Sequence, residues 1–250
     1  MGEFVLKDVR ILYGGADLSG DMNEVTVTRS ADMLDKTVFG SSAKRRQAGL
    51  KDFQVTGGGF YNAASTKKND PHLFNKMGST GNALLVAQNS SLGAICYAAD
   101  NVLSQMAPGG RIGEMMKFNF ACYADGDAVR GQLMEAGTGL STALAATVRN
   151  LGAVGSTQRL YAIGQINAVS SSGGTHTVRP VVESDNTTDF SGSPSTVMQL
   201  NAVDWSTRMV SGEIKSTDLG GSTDEYFRFQ FLSTGSTNSK ITGFFALAIQ

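Results

Sequence analysis

The chain is short of charge, of proline and of the residues that most often do chemistry. Charged side chains make up 17 % of its 250 residues, against a usual value near 25 %. Lys and Arg number 21 against 22 Asp and Glu, a net charge of −1. That balance excludes a general nucleic-acid binder of the strongly basic kind, because neutralising phosphates takes a surplus of cations. No stretch approaches about 18 uninterrupted apolar residues, so no membrane span is expected. The opening MGEFVLKDVR carries Glu3 and no apolar run of about 7–15 residues, so no signal peptide is expected. Only two cysteines occur, Cys96 and Cys122, in the apolar contexts ICYA and FACYA. Their separation fits no zinc pattern, so they are expected reduced and buried, with a disulfide between neighbouring strands as the competing reading.

Catalytic signatures are equally scarce. The two histidines lie in different halves. His72, in Asn69–Asp70–Pro71–His72, reads as a turn residue, and His176, in Thr175–His176–Thr177, as a strand-surface residue. No G-x-S-x-G elbow accompanies them, and no G-x-x-x-x-G-K-[ST] phosphate loop occurs. The carboxylate-bearing stretches Glu183–Asp189 and Asp17–Glu24 lack the defined pattern of a calcium loop. No catalytic residue, metal or cofactor is therefore assigned.

Glycine is abundant, at 30 residues, and apolar residues reach 41 % with thirteen Phe, six Tyr and one Trp. A chain of this length buries enough surface to need no disulfide staples. Its periodicity is that of strands: Glu24–Arg29 alternates with Val25 and Val27 on one face. Lys117–Tyr123 does so with Phe118 and Phe120, and Tyr226–Leu232 with Phe227, Phe229 and Phe231. Phe4–Leu6, Val9–Tyr13 and the apolar stretch Ile241–Gln250 are also read as strands, the last paired in a sheet. Clusters at Gly57–Gly59, Gly78–Asn82, Ser170–Thr175 and Gly220–Thr223 punctuate them. The expected fold class is all-β, a sandwich or barrel. Ser141–Asn150 and Ala98–Ala107 suit helix or strand. The loop Ala124–Asp127 separates two comparable strand arrays, giving expected β domains over 1–125 and 126–250, although no fixed-offset repeat links them.

One segment is more specific. Residues 29–61 read RSADMLDKTVFGSSAKRRQAGLKDFQVTGGGFY. A strand leads to Leu34–Asp35, Thr37–Val38–Phe39–Gly40, a basic run at Lys44–Arg45–Arg46, and Gly49–Leu50–Lys51–Asp52–Phe53. This stretch, with Gly14–Gly20 upstream, resembles the major tail tube proteins of long-tailed bacteriophages. Val129–Gly131, Gln158–Ala162 and Val182–Asn186 are similar to later parts of such proteins. The resemblance implies a β-sandwich whose copies join into trimeric or hexameric rings that stack into a tube in the virion. The tube meets other tail proteins and passes phage DNA without gripping it. It also implies that a long loop at about 30–53 contacts a neighbouring copy. Leu34, Phe39, Leu50 and Phe53 are then apolar anchors, and Lys44, Arg45 and Arg46 rim charges. Rival readings are a capsid decoration or head–tail joining protein, and a carbohydrate-binding β-sandwich using Trp205.

Overall fold

The computed structural model describes residues 8–140, 147–170, 177–191, 194–204, 211–234 and 240–250. Phe4–Leu6, His176, Trp205 and most of Ser141–Asn150 lie outside these. The first half contains β1 (Arg10–Tyr13), β2 (Ala16–Asp17), β3 (Met22–Asp35), β4 (Arg46–Phe60), α1 (Asn69–Lys76), β5 (Asn82–Ala87), β6 (Ile95–Gly109) and β7 (Lys117–Ala124). The second contains β8 (Val129–Leu140), β9 (Arg149–Asn150), β10 (Arg159–Ser170), β11 (Thr177–Asp185), β12 (Ser195–Gln199), β13 (Val203–Asp204), β14 (Ser211–Asp218), β15 (Tyr226–Thr234) and β16 (Lys240–Ile249). The chain is all-β, as its alternation implies.

Local chemistry places the turns. Gly14 and Gly15 both take positive φ, 53° and 86°, as a two-residue hairpin between the pairs Tyr13↔Ala16 and Leu12↔Asp17 requires. Gly57–Gly59 is no turn, however; it lies inside β4. A Cβ on Gly59 would stand 2.0 Å from the Asp21 carbonyl oxygen, so the close approach of the chain at the start of β3 demands glycine there.

One long sheet runs β14-β10-β16-β8-β6-β5-β1-β2, with β7, β4 and β3 attached through β6. A bulge between Leu103 and Gln105 lets β6 leave β5 and β8 and continue along β7. The sheet curls until β10 and β14 meet β5 and β2. Strands of the curl are buried on both faces, which is why β5 reads NALLVA without alternation. Leu12, Leu85, Ile163, Phe244 and Ala246 fill the interior. Ile11, Tyr13, Leu84 and Val86 face outward, against Val55, Phe118, Phe120 and the α1 residue Leu73. In the second half, Leu160, Phe245 and Leu247 pack outward against Val182, Phe227 and Phe229 of a separate five-stranded sheet. Each half thus owns a cluster, and a third straddles them.

One open reading is settled and one expectation is corrected. Ala98–Ala107 is strand, in β6, because pairing first with β5 and β8 and then with β7 overrides its modest strand propensity. His72 sits in α1 rather than in a turn. Pro71 falls in the helix's first turn, where its missing N–H costs nothing, and Asp70 and Lys76 complement the helix dipole. The helix buries His72, whose Nε2 donates to the Tyr13 carbonyl at 2.8 Å. Burial, only partly offset by that bond, holds its pKa below the usual 6.5, with Lys76 adding to the shift. The folded state therefore resists protonation, and stability falls as pH drops below about 6.5, where the unfolded chain gains the proton first. Denaturant melts between pH 7.5 and 5 should show this decline, and His72→Gln should flatten it.

Cys96 and Cys122 are free and buried. Desolvation pushes both thiols up to about 12. A thiol reagent at pH 8 should label neither in the native protein and both after denaturation.

Candidate assembly surface

Most of the stretch expected as a long loop is strand. β3 and β4 pair from Met22↔Gly59 to Asp35↔Arg46. β7 supports β4 only as far as Gln54↔Tyr123. Beyond that pair, β4 has β3 alone, and the two continue as a ribbon for about 20 Å, at roughly 3.3 Å per residue. The alternation that carries Val25 and Val27 onto the core thus runs out past the end of the body. With no core to face, the ribbon exposes both sides.

Side chains lock the tip of this arm. Asp35 accepts from the Thr37 backbone N–H at 2.8 Å, and Thr37 Oγ1 accepts from Arg45 N–H at 2.9 Å. Lys36 N–H donates to the Arg45 carbonyl, and Val38–Ser41 closes a turn. The Thr37 bonds hold the Asp35 carboxyl below its usual range. Halfway along, the register shifts so that Gly49 and Leu50 stand opposite Asp32, a bulge that adds twist.

The sequence-chosen residues divide into two groups. Leu34 lies in β3, Phe39 at the tip turn and Leu50 at the bulge; all three are exposed, Phe39 fully and Leu50 at 81 %. Met33 and Val38, which the sequence reading passed over, are exposed beside them. Lys44, Arg45 and Arg46 are exposed where the chain returns into β4, and none forms an ion pair among the described residues. Phe53 is different. It is 4 % exposed and packs with Val55, Phe118 and Phe120 at the root of the arm. It packs in the chain's own core and, unlike the other expected anchors, is not exposed.

A second exposed apolar patch lies at the opposite end of the same strands. β4 and β7 end there at Phe60↔Lys117, and the connection between β6 and β7 exposes Ile112, Met115 and Met116 beside Phe60. Several chemistry-bearing residues are engaged with one another. Glu183 pairs with Arg228 at 2.7 Å, and Asp185 and Asp189 accept hydrogen bonds from Thr187. No group of three or more His, Cys, Asp or Glu among the described residues is placed to hold a metal. No described helix is long and apolar enough to cross a membrane.

No protein-family model and no curated protein matches the chain. Among solved structures, a chain of the native gene transfer agent virion overlaps with 15 % identity and a TM-score of 0.38, covering 48 % of this chain and 93 % of its own. The Dit protein of phage SPP1, described as a hub of the adsorption apparatus, overlaps over 98 % of this chain and 100 % of its own, at 12 % identity and TM-score 0.38. A chain of the anti-feeding prophage baseplate covers 52 % of this chain and 97 % of its own, at 11 % identity and TM-score 0.40. Overlaps this loose do not fix a common fold.

Proposed function

We propose that the protein is a structural virion component, a phage tail tube subunit, whose copies join through the β3–β4 arm into rings that stack around a DNA channel. One observation carries this reading: a two-stranded ribbon, bare on both faces, ends in Phe39 and a cluster of cations without an ion pair among the described residues. A free monomer gains nothing from exposing five large apolar side chains on one projection, and such patches mark interaction surfaces. Burying each one fully contributes about 1.5–3 kcal/mol.

Three further features fit. Among the described residues β3 pairs with β4 alone, and its other edge is a liability in a monomer and a joint in a closed ring. The Ile112–Met116 patch at the far end of β4 and β7 supplies a surface for stacking. Two β units, 1–125 and 126–250, each with its own cluster, allow three copies to build a six-fold wall. A net charge of −1 suits a wall that DNA slides past.

Sedimentation over a range of concentrations tests the assembly. Species of three or six chains, growing into longer assemblies, are expected; a monomer at every concentration contradicts the proposal. Immunogold labelling of virions should decorate the tail along its length, and label on the head would contradict a tail tube.

A further inference from the structure

Taking the arm as an assembly element, as proposed above, we infer that its basic corner docks against an acidic cavity on a second copy lying beside the first with the same polarity. Residues 29–52 carry six Lys or Arg against three Asp, a net of +3, which leaves −4 on the rest of the chain. The arm is thus the wrong sign to fold onto itself and the right sign to meet the body of a neighbour.

An acidic concavity lies between the halves. Asp100, Asp125 and Asp127 line a cavity of about 200 Å³ with Arg159, Tyr161, Ile214 and Lys215. Lys215 is held by Glu213 at 3.0 Å and by the Gln199 carbonyl. Counting Glu213, four carboxylates meet two cations there, and none of the three Asp is ion-paired among the described residues. Burial, and then repulsion from Asp125 and Glu213, raise the Asp100 carboxyl above its usual range. An approaching guanidinium relieves that repulsion at short range, which matters because salt screens charges beyond about 8 Å.

Geometry sets the arrangement. Asp125 follows directly on β7, at the end where the arm leaves the body, so cavity and arm share one end of the strands. The arm's own tip stands about 20 Å from its root. A copy placed alongside with the same polarity, as around a ring, presents its cavity at the end from which the arm projects, whereas one stacked end to end presents the opposite end. The rival receiver, the Ile112–Met116 patch, lies at the opposite end and carries Arg111 and Lys117 against Glu114, so it repels the arm's basic corner.

Charge reversal and rescue test this. Lys44→Glu, Arg45→Glu and Arg46→Glu together should raise the concentration needed for ring formation by about tenfold or more. Asp125→Lys with Asp127→Lys should do the same. Both sets in one chain should bring it back to within about threefold of wild type. All five positions are exposed, and unchanged circular dichroism melts establish that each variant folds. If the arm variant fails to assemble while the cavity variant assembles normally, the arm remains a joint and the cavity is refuted as its receiver. If Ile112→Asp disrupts rings and the cavity variant does not, the apolar patch is the receiver. If the arm variant assembles like wild type, the inference and the assembly role of the basic corner both fall.

Discussion

A chain in which Asn-Gly replaces residues 32–50 should stay folded and monomeric, and should form no rings at concentrations where the intact protein assembles completely. Ala31 and Lys51 already face each other across the ribbon, so a two-residue hairpin turn closes it there without strain. Phe53 and Val55, which hold the root of the arm to β7, are untouched. The deleted stretch contributes nothing to the core, since Met33, Leu34, Val38, Phe39 and Leu50 are all exposed. The melting temperature should accordingly move by only a few degrees. Its loss from an interface is another matter. If only three of those side chains are buried on assembly, about 5 kcal/mol disappears, and the critical concentration rises more than a thousandfold. Light scattering behind a sizing column reads both mass and concentration dependence. A truncated chain that still forms rings would show that the arm is not the joint.

Gln165→Leu should destabilise the fold by about 1–3 kcal/mol, a large effect for a side chain that fills no core cluster. Gln165 is fully buried in β10, where the long sheet curls back on itself. Its Oε1 accepts from the Gly15 N–H at 2.7 Å, and its Nε2 donates to the Ala83 carbonyl at 2.8 Å. Leucine leaves the Gly15 N–H buried without a partner and takes one of the two hydrogen bonds of the Ala83 carbonyl, which keeps the Gly14 N–H. An orphaned buried N–H costs about 1–3 kcal/mol, and for a chain of this size such a loss lowers the melting temperature by roughly 3–10 °C. Gln165→Glu gives a second readout. A carboxylate still accepts from Gly15 but has nothing to donate to Ala83 unless protonated, so its penalty should shrink as pH falls. Thermal melts of both variants check this; a shift under about 2 °C for Gln165→Leu would mean that the seam is held by packing alone.

The strands that face a core on one side were legible in the sequence. Val25 and Val27, Phe118 and Phe120, and Phe227, Phe229 and Phe231 alternate because water lies on one face and the interior on the other. Where that asymmetry disappears, so does the signal. Residues 95–109 exchange partners, from β5 and β8 to β7, and bend at a bulge, and their Ala-rich pattern imitates a helix. α1 is eight residues long and offers only Asp70, Pro71 and three buried side chains as signs. The arm failed for the opposite reason. It buries neither face, its pattern slips at Asp32 against Gly49 and Leu50, and it therefore reads as loop. Phe53 shows what spacing cannot tell: it is three residues from Leu50 but stands next to Gln54, where β7 begins to support β4, and its side chain packs with Phe118 and Phe120. The chosen residues on the arm's outer part carry no comparable ambiguity in position, because the bare ribbon leaves them all exposed.

Cryo-electron microscopy of the assembled wild-type protein tests the central claim most directly. The account predicts closed rings of three or six chains around an axial channel, with each β3–β4 arm lying against a neighbouring copy and Phe39 excluded from water. A protein that stays monomeric, or rings in which the arms project into solvent and touch nothing, would contradict it.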